Sequence, residues 1–254
     1  MRKLWAPAIL MSSCLLVPHV NAGWSDLVDK VKDEGGSVLK DSLTSGNNTG
    51  SSSSLETSTI IEGLKESLSV GTQRAVAIVS ANGGYLNDAD IRVPLPNGLD
   101  KLSGALRQFG MGDQVDEFEN SINRAAEKAA PKAASILSET ITNMSFEDAR
   151  TIYSGGDDAA TQYLKDKSGD KIAALFKPEI SSALSSVDAT RSYDQLAKKA
   201  ASLPVVGESI DTDLTDYVTN KALDGLFLKL AEQEKAIREN PAARTTELLQ
   251  TLWK

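Results

Sequence analysis

The sequence predicts an all-α protein, a compact multi-helix bundle with one extended proline-rich strap at about residues 85–96. Three observations favour this fold class. Apolar residues recur at spacings of three and four over most of residues 57–254. Glycine and proline interrupt these stripes at the intervals expected of helix ends. Aromatic residues make up only 5% of the chain, which disfavours an aromatic-rich β-sandwich.

Residues 1–22 have the pattern of a secretory signal peptide. Arg2 and Lys3 precede an uncharged apolar run of about fourteen residues, which is too short to span a bilayer of about 30 Å. Val20-Asn21-Ala22 matches a signal peptidase site, so we predict cleavage after Ala22 and a periplasmic protein. The alternative is a lipoprotein anchored at Cys14, which the apolar residues directly after that cysteine disfavour.

Cleavage would remove the only cysteine and the only histidine of the chain, Cys14 and His19. It would leave 232 of the 254 residues and change the net charge from −8 to −10, because two basic residues leave with no acid. Thiol nucleophiles, disulfides, Ser-His-Asp triads, and zinc or haem sites built on histidine or cysteine are thereby excluded. We predict neither a cofactor nor a metal. The acidic charge disfavours nucleic acid as a partner, and no second apolar run is long enough for a transmembrane span.

Residues 23–56 are predicted to precede the folded domain as two segments. Residues 23–44 carry apolar residues at helical spacing from Trp24 to Leu43, interrupted by Gly35-Gly36. This pattern predicts one amphipathic helix or two short ones, with net acidic charge. Residues 45–56 are rich in serine, glycine and asparagine and are expected to form a flexible linker. The all-α domain is therefore predicted to occupy residues 57–254.

The first half of this domain is predicted to consist of helices separated by glycine and proline. Gly83-Gly84 ends the first helix and Gly110 the second, because glycine tolerates the backbone conformation at a helix C-terminus. Pro131 removes a backbone donor, so the third helix kinks or restarts there. The apolar stripes that predict these helices are Ile60–Val79, Leu99–Phe109, Val115–Ala129 and Ile136–Ile141.

The second half is predicted to contain helices with recognisable N-caps. Ser145 precedes two acidic residues in a first turn, and Asp157 is placed to cap the next helix, which runs through Tyr163 and Leu164. Leu203–Gly207 interrupts the pattern, and Asn240-Pro241 predicts the start of a terminal helix. Further stripes are Ile172–Leu184, Tyr193–Ala200, Leu214–Ile237 and Leu248–Leu252.

The strap is the one stretch of this domain that lacks helical spacing. Its two prolines force their predecessors into extended geometry, in which alternate side chains share a face. We therefore expect an Asx-type turn at Asn87-Asp88. The polar face of the strap would carry Asp90 and Arg92, and the apolar face Ile91, Val93 and Leu95.

Acidic clusters along the chain are better explained by local structure than by metal binding. Asn87, Asp88 and Asp90 lack the spacing of a calcium loop, and turn formation is the favoured interpretation. A second group fits the cap and first turn of the long helix that follows it: Asp211, Asp213 and Asp216.

Glu119 and Glu127 could serve as the acid and base of a histidine-free hydrolase. Eight residues on one helix separate them by about 12 Å along its axis, which is too far for one glycosidic bond. Glu119 borders an apolar stripe with Asn123 one turn on, which favours a buried structural pair. Arg124, Glu127 and Lys128 fit ordinary pairing along a helix.

Several long strings in this sequence follow one another in a recognisable order. They are Gly84–Asp88, Arg92–Pro96, Glu117–Glu119 leading to Asn123–Pro131, Gly155–Thr161, Tyr217–Thr219 with Lys221–Phe227, and Pro241–Thr246. In these strings, over about residues 60–252, the chain resembles the bacterial family catalogued as domain of unknown function 4197. The resemblance implies an exported protein of Gram-negative envelopes, and it brings no established activity or catalytic residue.

Five charged residues in or beside these strings are the candidate binding residues: Arg92, Glu119, Arg124, Asp224 and Arg244. Because they border apolar helix faces, each either forms a buried charge pair that holds helices together, which we call a lock, or lies at the polar rim of a pocket. We favour an exported, non-catalytic helical protein that binds an envelope partner protein or an apolar small molecule. The alternative is a carboxylate-based hydrolase without histidine or cysteine.

Overall fold

The computed structural model describes residues 57–96, 99–186, 189–201 and 213–253. The predicted signal peptide, the amphipathic segment at 23–44 and the linker at 45–56 lie outside these ranges, as do Leu203–Gly207 and Asp211. Within them the chain forms nine α-helices and no strand, which confirms the all-α prediction. The helices are α1 Thr57–Ser80, α2 Leu99–Leu106, α3 Gly112–Ala129, α4 Ala133–Thr142, α5 Phe146–Tyr153, α6 Ala159–Ser186, α7 Ala189–Ala201, α8 Leu214–Glu239 and α9 Glu247–Leu252.

Helices α6 and α8 form the centre of the bundle. They pack along each other, α1 packs on α8, and α3 and α4 pack on α6. Gly71 of α1 lies against Gln233 and Ile237, whereas Tyr85, just after α1, reaches Ala222. Helices α1 and α8 are therefore antiparallel. The contacts among α1, α6 and α8 bury a core of aliphatic side chains and alanines. Burial of each large apolar side chain in this core stabilises the fold by about 1.5–3 kcal/mol.

The predicted helix ends at Gly83 and Pro131 are confirmed. Gly83 follows α1 with a φ of +80°, a conformation that glycine adopts without strain. Pro131 lies in a 3₁₀ turn, Ala130–Lys132, and the helix restarts as α4. Ser145 caps α5 in a capping box with Asp148, as its position in the sequence predicts.

Three helix predictions need correction. Residues 159–186 form one helix instead of two, because the helix continues without a break from Leu164 to Ile172. It also continues through Pro178, which lies on its exposed side, where water can replace the lost hydrogen bond. Phe109 belongs to no apolar face: α2 gives way to a π-helical turn at Arg107–Met111, and the Phe109 ring is 60% exposed. Asn240 caps only the 3₁₀ turn Pro241–Ala243, and α9 begins later with Thr246 as its cap.

The caps of the two central helices differ in kind. Asp213 caps α8 by accepting a hydrogen bond from the backbone N–H of Asp216, which agrees with the sequence-based prediction. At the start of α6 the predicted cap, Asp157, is wrong in that role, because Glu234 of α8 accepts from the N–H groups of Ala160 and Thr161. None of the described helices has the length and apolar character required to cross a bilayer.

Candidate functional site

The strap lies across α3 and α8 with its apolar face inward, as the alternation of its residues predicts. Ile91, Val93 and Leu95 are at most 6% exposed, whereas Arg92 and Asp90 face solvent. The Asx turn also forms, since Asp88 Oδ1 accepts a hydrogen bond of 3.0 Å from the backbone N–H of Asp90. The strap is therefore part of the core, and its polar atoms need partners in the interior.

One row of α3 provides those partners. Glu119, Asn123 and Glu127 are four residues apart, so they lie on one side of the helix. Asn123 is fully buried and pairs with both backbone groups of Val93, accepting from the N–H at 2.8 Å and donating to the carbonyl at 2.9 Å. Glu127 accepts from the N–H of Tyr85 at 3.3 Å. We call these three residues the α3 row.

Tyr85 joins the strap to α8. Its hydroxyl donates to the carbonyl of Ala222 at 2.6 Å, and its ring lies on Gly225. A Cβ at Gly225 would be 2.6 Å from Tyr85 Cε1 and 3.0 Å from Ile91 Cβ, so only glycine permits this approach. Burial raises the pKa of the Tyr85 phenol, and the negative charge of Glu127 raises it further.

A buried lysine holds the turn of the strap. Lys229 Nζ lies 2.7 Å from Asp88 Oδ2 and 3.0 Å from both carboxylate oxygens of Glu232, and its side chain is only 7% exposed. The hydrogen bond from Lys229 lowers the pKa of Asp88. The Asn87–Asp90 cluster that suggested a calcium loop is thus a turn held by a lysine. The described ranges contain no group of three or more acidic, histidine or cysteine side chains placed to hold a metal.

Of the five candidate binding residues, the structure brings two together. Arg92 Nε lies 2.9 Å from Glu119 Oε1, and the arginine side chain is 46% exposed. This ion pair therefore joins the strap to α3 at the surface of the protein. Arg244 donates to the carbonyls of Ile237 and Arg238 and satisfies the end of α8. Asp224 is exposed and makes no ion pair with any described residue.

The fifth candidate, Arg124, lies in an open groove along the outer side of α3. We call this the α3 groove. Within the described ranges Arg124 has no ion pair, and its predicted partner Glu127 turns inward to Tyr85 instead. Eight α3 residues and one residue of α6 line the groove: Asp113, Asp116, Glu117, Asn120, Ser121, Arg124, Ala125, Lys128 and Ala183.

Asp116 is the one charged residue of the α3 groove that has an ion-pair partner among the described residues. Asp116 forms an ion pair with Arg107, which holds the pKa of that carboxyl below its usual range, and Arg92 adds a weaker effect. The other four charged residues of the groove have no charged or hydrogen-bonding partner for their side chains in the described part of the chain. Of the five candidates, Arg124 is thus the one that lines the α3 groove.

Sequence reasoning missed a second buried network, between α6 and α8. Glu234 accepts from Ala160, Thr161 and Arg238, and Arg238 also donates to the carbonyl of Ile152. The void beside these residues measures about 10 Å³, enough for about one water molecule. Glu234 joins residues more than seventy positions apart, so neither spacing nor composition signals it.

The arrangement of Glu119 and Glu127 bears on the hydrolase alternative. Glu119 is held by Arg92, and Glu127 contacts the backbone of Tyr85 in the interior. Both carboxylates therefore stabilise the strap. The alternative prediction of a carboxylate hydrolase draws no support from these contacts.

The strap, the α3 row and the α3 groove all fall within one family match. A family model described as protein of unknown function (DUF4197) matches residues 54–254, more than three quarters of the sequence. No curated protein and no solved structure matches the chain. The strings that suggested this family contribute the strap and much of α3 and α8. The chain therefore belongs to the DUF4197 family.

Proposed function

We propose that the protein is an exported, non-catalytic helical protein of the periplasm that binds a protein partner through the α3 groove. One observation carries this proposal. Four charged side chains share one open side of α3 and have no partner among the described residues: Asp113, Glu117, Arg124 and Lys128.

Three charges in the interior of the bundle have a structural role that these four lack. Lys229, Glu234 and Arg244 each satisfy a backbone group or an opposite charge inside the molecule. The groove charges could be removed without stranding a buried partner, so packing does not account for them. A solvated surface of both signs suits a protein partner, because opposed charges fix orientation and speed association.

The lining of the groove favours a protein over an apolar small molecule. Asn120 and Ser121 lie at its centre, and its ends are charged, so an apolar ligand would leave these groups desolvated without partners. The interior void near Glu234 holds about one water and offers no space for such a ligand.

Export is the part of the proposal that rests on the predicted signal peptide, residues 1–22. The charged start, the short apolar run and Val20-Asn21-Ala22 predict a mature chain that begins at Gly23. Intact-mass measurement of the protein from a cell-envelope fraction tests this. A chain that begins at an acylated Cys14 would contradict it and indicate a lipoprotein.

Binding at the groove can be tested by photo-cross-linking in cells. We expect a photoreactive residue at Asn120 to form a protein adduct, which the substitution Arg124→Glu abolishes. A photoreactive residue at Asp170, exposed on α6, is the control. Equal adducts at both positions, or a small molecule retained by the protein in native mass spectrometry, would contradict the proposal.

A further inference from the structure

We infer that the partner in the α3 groove is a second copy of this chain, bound about a twofold axis with the two α3 helices antiparallel. This inference rests on the proposed function, in that it needs a protein to occupy the groove. The supporting observation is the order of charges along the groove. When a second α3 runs antiparallel to the first, the acidic residues of each helix lie opposite the basic residues of the other.

The groove residues form symmetric pairs about a single point, which lies between Asn120 and Ser121. Moving outward from that point, Glu117 is as far from it as Arg124. Asp113 is likewise as far from it as Lys128. An antiparallel copy centred there would place every unpaired acid of one helix opposite an unpaired base of the other. Asn120 would meet Ser121, whose hydroxyl donates to the carbonyl of Glu117 and can accept a hydrogen bond from the Asn120 amide.

Helix geometry puts all four charges on the same side. At 100° per residue their directions fall within about 60° of one another, and they extend over about 22 Å of the helix. A twofold axis makes each contact twice, since residue i meets j and j meets i. The dimer would therefore contain four charge pairs, two between Glu117 and Arg124 and two between Asp113 and Lys128.

The isolated chain lacks these favourable pairs. Asp113 and Glu117 are four residues apart and carry the same charge, as do Arg124 and Lys128. Like charges at this spacing repel and weaken a helix. The helix dipole accounts for an acid in the first turn and a base in the last, and so for Asp113 and Lys128. It does not account for Glu117 and Arg124 in the middle, whereas an antiparallel partner does.

Small residues leave room for the second helix. Ala125 and Ala183 line the groove, and both are buried below the level of the charged side chains. The distance between packed helices depends on the size of the side chains at the contact. The pairs themselves are exposed and therefore weak, so we expect a dimer that forms at low salt and dissociates as screening increases.

Sedimentation velocity of the purified protein, over a concentration series at low and high salt, tests the inference. We expect a monomer–dimer equilibrium at low salt that shifts to monomer at high salt. Glu117→Arg and Arg124→Glu each place like charges together twice, and we expect each to raise the dissociation constant at least about tenfold. The double variant with both substitutions restores opposite charges, and we expect it to dimerise as the wild type does.

Asp170→Arg is the matched control for Glu117→Arg. It also replaces an acid by arginine, but at an exposed position on α6 away from the groove. We expect it to leave dimerisation unchanged. A protein that stays monomeric at low salt would overturn the inference, as would single variants that dimerise normally or a double variant that does not recover. Thermal melts of all variants are needed to check that each is folded.

Sedimentation velocity and the photo-cross-linking experiment together separate this inference from the proposed function. If the protein is monomeric but the adduct at Asn120 contains a different protein, the groove binds a partner and that partner is not a second copy. If the Asn120 adduct has the mass of two copies, both statements hold. If there is neither dimer nor adduct, both fail.

Discussion

The side-chain amide of Asn123 pairs with both backbone groups of Val93, as an adjacent strand would. Asn123 Oδ1 accepts from the Val93 N–H and Nδ2 donates to the Val93 carbonyl, and Nδ2 also donates to the carbonyl of Glu119. A strap without a neighbouring strand thus has its central residue fully hydrogen-bonded by a helix. Buried backbone groups that lack such partners would destabilise the fold.

We expect Asn123→Asp to lower the free energy of unfolding by about 3 kcal/mol at neutral pH, because the carboxylate cannot donate and would be buried beside two carbonyl oxygens. Urea denaturation measures the change. Asn120→Asp, on the exposed side of the same helix, should alter stability by less than about 0.5 kcal/mol. Similar losses for the two variants would show that the contact with Val93 is unimportant.

Gly225→Ala should destabilise the protein by about 1–3 kcal/mol, because the new methyl group would overlap the Tyr85 ring and the Ile91 side chain. Gly169→Ala in α6 is the control, since nothing lies within 4 Å of a Cβ there. Alanine has the higher helix propensity, so this control should raise stability by up to about 1 kcal/mol. Thermal unfolding of both variants tests the prediction, and a stabilising Gly225→Ala would refute the close approach.

Ile91→Asp should cost several kcal/mol, at least about 3, because it buries an unpaired carboxylate under the strap. Asp90→Asn, one residue earlier and exposed, should cost far less. Chemical denaturation of this adjacent pair is a direct test of strap orientation. Wild-type stability for Ile91→Asp would mean that the strap does not pack as described.

Three glutamine substitutions should separate locks from surface charges. Arg244→Gln removes donors to two carbonyls at the end of α8 and should cost about 1–3 kcal/mol. Glu119→Gln weakens an ion pair whose arginine is half exposed and should cost at most about 1 kcal/mol. Arg124→Gln should melt like the wild type within about 0.5 kcal/mol. A large loss for Arg124→Gln would make that residue a lock and remove it from the groove's binding residues.

Stability at alkaline pH should depend on Tyr217. Its hydroxyl donates to the carbonyls of Pro94 and Leu95, and burial, with a smaller effect from Asp100, raises its pKa to about 12. The folded state therefore binds this proton more tightly than the unfolded state, whose phenol has a pKa of about 10. The stabilisation is complete below pH 10 and is lost as the pH rises towards 12.

Tyr217→Phe tests this pH dependence. The variant should be about 1 kcal/mol less stable than wild type at pH 7, because the hydrogen bond to the strap is lost. The difference should shrink between pH 10 and 12, since only the wild type has this phenol to ionise. Tyr85 is present in both proteins and cancels in the comparison. A difference that stays constant over this pH range would contradict the raised pKa.

Local signals predicted much of the fold. Gly83 and Pro131 ended helices where they were expected to, Ser145 formed its capping box, and the alternation of the strap predicted which residues are buried. These features depend on residues within a few positions of one another. Backbone conformation and short-range hydrogen bonds are enough to specify them.

Long-range contacts were the part that the sequence could not reveal. Glu127 was expected to pair along its own helix but contacts Tyr85, 42 residues away, and Glu234 rather than Asp157 caps α6. Each choice depends on where a second helix lies, which no local pattern records. Arg92 and Glu119 were identified as charges beside apolar faces, but their pairing required the strap to be placed on α3.

The contacts of the strap also constrain when the protein can finish folding. Val93 is held by a residue 30 positions later in the chain, but Tyr85 and Pro94 are held by residues 137 and 123 positions later. A chain that emerges from its N-terminus can place Val93 on α3 early, but it cannot complete the contacts of the strap until α8 has also emerged. Until then Ile91 and Leu95 are accessible to proteases, to chaperones and to other unfinished chains, and the appearance of α8 ends that period.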